Sequence, residues 1–363
     1  MKRIRVAVVD DSALCRDVIR SLLEEDGDIE VVAEAGTGRA AIEIVAKSRA
    51  DLVTLDIEMP GMDGLLTVEQ IMARTPVPIL IVTGRPADQR DHTLFEAVQR
   101  GALDLIAKPR VDDPPQASSL RALVRTLARV PVMRHIAHAR ATRASSVPPP
   151  SGRSVQTPTQ LRGVPIVGIA ASAGGPAAVN HVLSQLPSDF EGCVAVVQHL
   201  LPGFADSFAA YLRAHSRLRV ELAAQAIRPS RATVIVASDH RHLVLHAPGR
   251  FASSDAPPPG GRGGYRPSAD LLFHSLAESC GADAVGVVLS GMGDDGAAGL
   301  LAMRKAGALT IAQDEATSAV SGMPLAAREI GAASHVLPLE EIPAAITRRV
   351  KQLAAQSSAA TFR

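Results

Sequence analysis

The sequence predicts an α/β protein of two domains, each built on a parallel sheet. Three observations carry this. Short apolar runs alternate with helically spaced apolar residues along nearly the whole chain. The residues able to do chemistry fall at the carboxyl ends of those runs, the edge where open α/β sheets bind ligands. Between the halves, Pro131 to Arg162 carries several arginines, no acidic residue and the stretch Ser145-Ser146-Val147-Pro148-Pro149-Pro150-Ser151-Gly152, which reads as an extended linker. The expected division is a first domain over 1–128, a linker over 129–162 and a second domain over 163–352.

Length and composition support this. A chain of 363 residues, 47% of them apolar, can fill two ordinary cores. A formal net charge of +1 argues against a general nucleic-acid binder. The three cysteines, Cys15, Cys193 and Cys280, are too far apart for a zinc motif and read as buried thiols in a reducing compartment. No apolar run approaches the roughly 18 residues of a membrane span. Asp10-Asp11 interrupts the N-terminal apolar run too early for a signal peptide. A cytoplasmic protein without membrane insertion is expected.

In the first domain, Ile4 to Val9 reads as a buried strand ending at Asp10-Asp11-Ser12. Leu14, Val18, Ile19, Leu22 and Leu23 follow at helical spacing. A second strand over Ile29 to Ala33 leads to a helix over Ala40 to Ala46. The next strands end at Asp56, at Thr83 and at Lys108-Pro109. This order predicts a doubly wound sheet with Asp10, Asp11 and Asp56 gathered at one edge. Three carboxylates so close repel one another and need a cation, and all-oxygen ligands favour Mg²⁺. Lys108 and Thr83 add a fixed positive charge and a hydroxyl donor. Such a site can hold a phosphoryl group on one carboxylate.

Residues 3 to 125 resemble the receiver domain of two-component response regulators, a flavodoxin-like fold. The resemblance rests on Val9-Asp10-Asp11-Ser12, Leu55-Asp56-Ile57-Glu58-Met59-Pro60-Gly61-Met62-Asp63-Gly64, Thr83 and Lys108-Pro109. It implies that Asp56 accepts phosphate from a histidine kinase, with Asp10, Asp11 and Asp56 holding Mg²⁺. The chain departs from many receivers at Leu105, three residues before Lys108, where an aromatic often couples to phosphorylation.

The second domain opens on Ile166 to Ala171, an apolar strand followed by Ser172-Ala173-Gly174-Gly175-Pro176. The glycines break the strand and Pro176 suits a first helical turn. Strands over Gly192 to Gln198 and Ala284 to Leu289 end at His199 and at Ser290-Gly291-Met292-Gly293-Asp294-Asp295-Gly296. Thr233 to Ala237 and Ala308 to Ala312 read as further strands, Leu243 and Leu245 as part of a hairpin, and Phe251 to Gly264 as an exposed loop. The Ser172 turn lacks the G-x-G-x-x-G of a dinucleotide site and narrowly misses the G-x-S-x-G of a nucleophile elbow. Alone, Ser172 also fits a helix cap. His240, His242 and His246 lack the acid or cysteine spacing of a metal site. The glycines of 291–296 suit an anion-binding nest or part of an oxyanion hole. A serine, a histidine and an aspartate at one sheet edge are the material of a Ser-His-Asp hydrolase.

Residues 164 to about 350 resemble the catalytic domain of the bacterial chemotaxis protein-glutamate methylesterases. The matching stretches are Gly168 to Gly175, Gln198 to Phe204, Pro267 to Phe273, Leu289 to Ala297 and Ala312 to Glu315. The resemblance implies Ser172 as nucleophile, His199 as base, Asp295 as orienting acid and the Met292 backbone amide as oxyanion donor. It implies a receiver-controlled hydrolase that removes methyl esters from glutamates of methyl-accepting chemotaxis receptors. Receptor glutamines, which would pass through the same acyl-enzyme, are a further substrate class. No cofactor is expected for the ester chemistry. The alternative is a phosphorylation-switched binding module with an impaired esterase domain. Ala173 and Asp294 stand where many relatives have threonine and asparagine.

Overall fold

The computed structural model describes residues 2–61, 63–84, 93–109, 113–130, 164–200, 202–238, 240–246, 249–257 and 265–361. The expected linker lies outside the described residues from position 131 onward.

The first domain alternates β1 (Ile4–Val9), α1 (Ala13–Glu24), β2 (Ile29–Ala35), α2 (Gly38–Ser48), β3 (Leu52–Leu55), α3 (Gly64–Arg74), β4 (Ile79–Thr83), α4 (Thr93–Gln99), β5 (Asp104–Ala107) and α5 (Pro114–Leu127). Its five strands are parallel in the order β2-β1-β3-β4-β5. Turn residues start the helices: Ser12, Thr37, Asp63 and Asp113 each accept a first-turn backbone N–H and so satisfy an orphan donor. β1 has β2 on one side and β3 on the other. The connections therefore reverse direction between β1 and β3, which opens a crevice at their carboxyl ends.

The second domain runs β6 (Ile166–Ala171), α6 (Gly175–Gln185), β7 (Cys193–Gln198), α7 (Ala205–His215), β8 (Arg219–Leu222), β9 (Thr233–Val236), β10 (His242–His246), β11 (Arg250–Ser254), α8 (Ala269–Cys280), β12 (Ala284–Val288), α9 (Ala297–Lys305), β13 (Leu309–Gln313), α10 (Gly322–Glu329), β14 (His335–Leu337) and α11 (Ile342–Thr361). Seven parallel strands lie in the order β14-β13-β12-β6-β7-β9-β8, and β10 and β11 form a separate antiparallel hairpin. β6, β7 and β12 are buried along their whole length, which is why they read as unbroken apolar runs. Here the reversal falls between β6 and β12.

The fold differs from the sequence expectation in three places. Residues 251–254, expected in a loop, form β11 together with Arg250, because the alternating side chains of Phe251 and its neighbours pair against β10. α11 continues to Thr361, beyond the expected boundary at 352, with Val350, Leu353 and Ala354 buried. β8 and β14, with too few apolar residues to announce themselves, complete the two edges of the sheet.

The domains pack on each other through apolar surface. Phe95 of α4 meets Phe208 and Tyr211 of α7 at ring-centroid distances of 5.3 and 5.5 Å. All three rings are fully buried. A second contact joins the end of α5 to the second domain: Val124 and Leu127 share an apolar cluster with Ala173, Met292 and Val320. There the Thr126 hydroxyl lies 3.2 Å from the Met292 sulfur.

Candidate active site

Ser172, His199 and Asp295 follow β6, β7 and β12, three adjacent strands, so the topology alone brings their backbones to one edge. The backbone hydrogen bonds draw them closer. His199 N donates to Ala171 O at 2.9 Å, Gln198 Nε2 donates to Ser172 O at 2.7 Å and Ser172 N donates to Ser290 O at 3.0 Å. Two glycines make the turns possible. Gly174 has φ of 71°, and at Gly291 a Cβ would lie 2.2 Å from the Met323 sulfur and 2.9 Å from Ser172 Cβ. Met292 thus follows a residue in close contact with Ser172.

His199 Nε2 lies 2.8 Å from Asp295 Oδ2, and Nδ1 is a buried atom without a hydrogen-bond partner among the described residues. The geometry selects one tautomer: Nε2–H donates to the carboxylate and Nδ1 keeps its lone pair. Asp295 is 6% exposed, whereas Asp294 points to solvent. Asp295 also accepts from the Ser268 hydroxyl at 2.9 Å, Ala269 N at 2.7 Å and Asp270 N at 3.1 Å. Those amides open α8, so the carboxylate caps a helix from outside it and faces the positive end of its dipole. Burial opposes the charge on Asp295. The hydrogen bond from His199, the attraction of the ring's protonated form and the two α8 amides outweigh burial and hold the carboxyl below its usual pKa.

Several residues of the site escape sequence reasoning. Ser290 is buried, donates its hydroxyl to Ala173 O at 2.8 Å and accepts Val320 N at 2.9 Å, which ties the Met292 turn to the Ser172 turn. Ser268 precedes a helix and so carries a cap signal, but its hydroxyl serves Asp295 instead. His242, 1% exposed, accepts Ser268 N on Nδ1 at 3.0 Å. Tyr265 stacks on the His199 ring.

At the other crevice, donor oxygens of Asp10, Asp11 and Asp56 lie within 4.8 Å of one another, with Asp10 and Asp56 buried and Asp11 exposed. Lys108 Nζ is 2.7 Å from both Asp10 Oδ2 and Asp56 Oδ2. Burial disfavours the lysine charge, but hydrogen bonds to the two carboxylates prevail and raise its pKa. Thr83 is fully buried at the end of β4, and its carbonyl accepts Lys108 N at 2.7 Å. Leu105 sits in the same apolar cluster as Phe95, on the side that meets the second domain.

Fold and sites together describe a response regulator whose output is an α/β domain with hydrolase-like furniture. The comparisons with known proteins agree. Residues 6–116 match the response regulator receiver domain model and residues 167–346 the CheB methylesterase model. The chain is 41% identical over 345 residues to a protein-glutamate methylesterase/protein-glutamine glutaminase of Anaeromyxobacter dehalogenans, covering 94% of this chain and 96% of that one. It is 40% identical over 341 residues to one of Cupriavidus pinatubonensis, covering 93% and 95%. A crystal structure of the Thermotoga maritima CheB methylesterase catalytic domain aligns with a TM-score of 0.48 at 32% identity, covering 52% of this chain and 98% of that one. The chain belongs to the CheB methylesterase family.

Proposed function

We propose that the protein is a phosphorylation-regulated protein-glutamate methylesterase and protein-glutamine glutaminase, with Ser172, His199 and Asp295 as its catalytic residues. The observation that carries the site assignment is the short His199–Asp295 contact beside the Ser172 turn, at the point where the strand order reverses. The substrates are glutamyl methyl esters and glutamines on methyl-accepting chemotaxis receptors, as the relatives' names and the family imply.

Ser172 Oγ attacks the side-chain carbonyl and His199 Nδ1 takes its proton, while Nε2–H stays on Asp295. Asp295 stabilises the imidazolium that forms. The negative oxygen is met by the turn over Gly291–Gly293, with the Met292 amide as donor. The Ser172 amide is committed to Ser290 O, which favours a donor from that neighbouring turn. The imidazolium then gives its proton to the methoxy or amide leaving group, and methanol or ammonia departs. Water, activated by the same Nδ1, releases the glutamate and restores the serine.

Asp56 is the phosphoacceptor, and a histidine kinase is the donor. Asp10, Asp11 and Asp56 form an all-oxygen donor set that fits a hard divalent cation such as Mg²⁺. When bound, that ion would neutralise phosphoryl oxygens. Lys108 supplies a further fixed charge and Thr83 a hydroxyl at the end of the neighbouring strand. The end of α5 shares an apolar cluster with Ala173, the residue after the reacting serine, and with Met292 of the proposed oxyanion turn. The receiver in this arrangement therefore restricts the approach of a receptor helix, and phosphorylation weakens its hold. The function is tested by methanol release from a methylated receptor, with and without a small phosphodonor. Release that does not depend on Ser172 would overturn the site assignment.

A further inference from the structure

The catalytic imidazole has a neighbour that the Ser-His-Asp scheme does not use. Tyr265 lies face to face with His199, with ring centroids 4.4 Å apart and an interplanar angle of 8°. It stands in the short segment that leads into α8 and is 37% exposed. The segment is anchored just after the ring. Arg266 pairs with Asp255 at 3.3 Å, and Asp255 also pairs with Arg241 at 2.8 Å. Ser268 N donates to His242, and Ser268 Oγ to Asp295. The phenol end of Tyr265 reaches the oxyanion turn, where a Cβ on Gly293 would lie 2.7 Å from its oxygen. One side chain thus touches the base and the proposed oxyanion turn at once.

We infer that Tyr265 is a positioning residue for the catalytic base: its ring fixes the plane of the His199 imidazole and stabilises the charge that His199 gains as the serine proton is taken. The inference rests on the triad reading above and deepens it.

The physical argument has two parts. A single hydrogen bond to Asp295 leaves the imidazole free to rock about the line joining Cβ to Nε2. A parallel ring at stacking distance blocks that motion, so Nδ1 remains aimed at one place. An aromatic face also attracts positive charge more than it attracts a neutral ring. The stack is therefore stronger once His199 is protonated than in the resting enzyme. An interaction that strengthens on the way to the transition state raises kcat and leaves KM alone. The phenol stays neutral, since burial and the nearby charges of Asp294 and Asp295 all raise its pKa. The ring, and not the hydroxyl, does the positioning.

The test uses the full chain with a small phosphodonor and a methylated receptor as substrate. Tyr265→Phe keeps the ring and is expected to hold kcat within about twofold. Tyr265→Leu keeps bulk without an aromatic face and is expected to lower kcat about five- to tenfold, the size of a typical aromatic pair, with KM within twofold. Thermal unfolding and circular dichroism check that each variant is folded. Nitrogen-15 NMR of histidine-labelled protein supplies a readout independent of turnover. Wild type and Tyr265→Phe should show a single His199 tautomer with the proton on Nε2, and Tyr265→Leu should show exchange broadening of that signal. Unchanged kcat and an unchanged His199 signal in folded Tyr265→Leu protein would overturn the inference. So would equal losses in the Phe and Leu variants, which would assign the role to the hydroxyl, or a change confined to KM, which would make Tyr265 a substrate contact. Ser172→Ala, run beside them, separates the two readings. An inactive Ser172→Ala protein beside a Tyr265→Leu protein with wild-type kcat leaves the triad standing and removes only Tyr265. An active Ser172→Ala protein removes the triad itself.

Discussion

The two domains solve the same topological problem and put opposite chemistry in the solution. Each winds a parallel sheet both ways from a central strand, and each sets its polar residues where the winding reverses. In the receiver, three carboxylates confront one ammonium, from Lys108. Among the described residues the carboxylates outnumber that ammonium, which suits the metal and phosphoryl group proposed for this site. In the output domain, one carboxylate, Asp295, receives four donors, from His199, Ser268, Ala269 and Asp270. Its charge is fully met by fixed groups. In the proposed function the first site changes its charge and the second keeps it constant. A switch needs the former, and a catalyst that must hold one imidazole tautomer through every turnover needs the latter.

The comparison breaks most sharply at the proposed nucleophile. Ser172→Ala should remove nearly all methanol release, a loss on the order of 10⁶-fold, and His199→Ala should cost about as much, because such residues act as a unit. The receiver should be indifferent, with phosphorylation of Asp56 unchanged in both variants. A folded Ser172→Ala protein with near-normal turnover would show that the crevice between β6 and β12 is not the reaction site.

The next effect tests whether a constant charge matters. Asp295→Asn keeps the shape but reverses the preferred imidazole tautomer, and a loss on the order of 10³- to 10⁴-fold is expected. Asp294→Asn, at a solvent-facing position, should change turnover by less than about twofold. The reverse ranking in steady-state assays would move the acid by one residue.

A smaller effect measures how far the changing charge of one site reaches the other. The contacts of Phe95 with Phe208 and Tyr211, and the apolar cluster that Val124 and Leu127 share with Ala173 and Met292, hold the receiver on the output domain. Complete inversion of a 99:1 balance needs about 5.5 kcal/mol. A coupling of about 1–3 kcal/mol gives five- to 150-fold activation. The graded range is expected, since Leu105 lacks the aromatic ring that couples many receivers. Asp56→Asn should abolish the response to phosphodonor and leave basal turnover in place. A phosphodonor response that survives Asp56→Asn would place the switch elsewhere.

Much of both sites was legible in the sequence because their residues follow apolar strands. Asp10, Asp56, Lys108, Ser172 and His199 sit one position past a run that periodicity detects, and Asp295 lies in the glycine-rich turn that follows another. The parts that were not legible depend on contacts between distant segments. Asp295 finds its donors in Ser268, Ala269 and Asp270, and nothing in 268–270 beyond a cap signal announces that. Tyr265 follows a Gly-rich stretch that reads only as a loop. Ser290 lies inside a glycine-rich motif and gave no sign that its hydroxyl would join three turns. β11 was missed because Arg250-Phe251-Ala252-Ser253-Ser254 has one large apolar residue, and its pairing with β10 decides the structure where propensity does not.

The smallest predicted effect concerns the support behind the constant charge. His242 is buried behind Ser268, and its Nδ1 accepts the Ser268 amide, so that nitrogen must be unprotonated in the folded state. Burial lowers its pKa and Arg266 lowers it further, against weaker opposite pulls from Asp295 and Asp255. An unfolded histidine titrates near 6.5. Because the folded pKa lies below that, the unfolded chain binds the extra proton first as pH falls. The contribution of His242 to stability is therefore present above about pH 6.5 and is lost on acidification through that value toward the folded pKa. One proton limits the slope to at most about 1.4 kcal/mol per pH unit. His242→Gln can keep an acceptor for Ser268 N and cannot titrate. Urea unfolding of the output domain at pH 7.5 and pH 5.5 should show a larger loss of stability in the wild type than in His242→Gln, while other titrating groups cancel in the difference. Turnover at pH 5.5, relative to pH 7.5, should likewise fall less in the variant, since a protonated His242 releases the segment that holds Asp295. Equal losses of stability in the two proteins would mean that the Ser268–His242 hydrogen bond is not what acid breaks, and that His242 is not part of the support of Asp295.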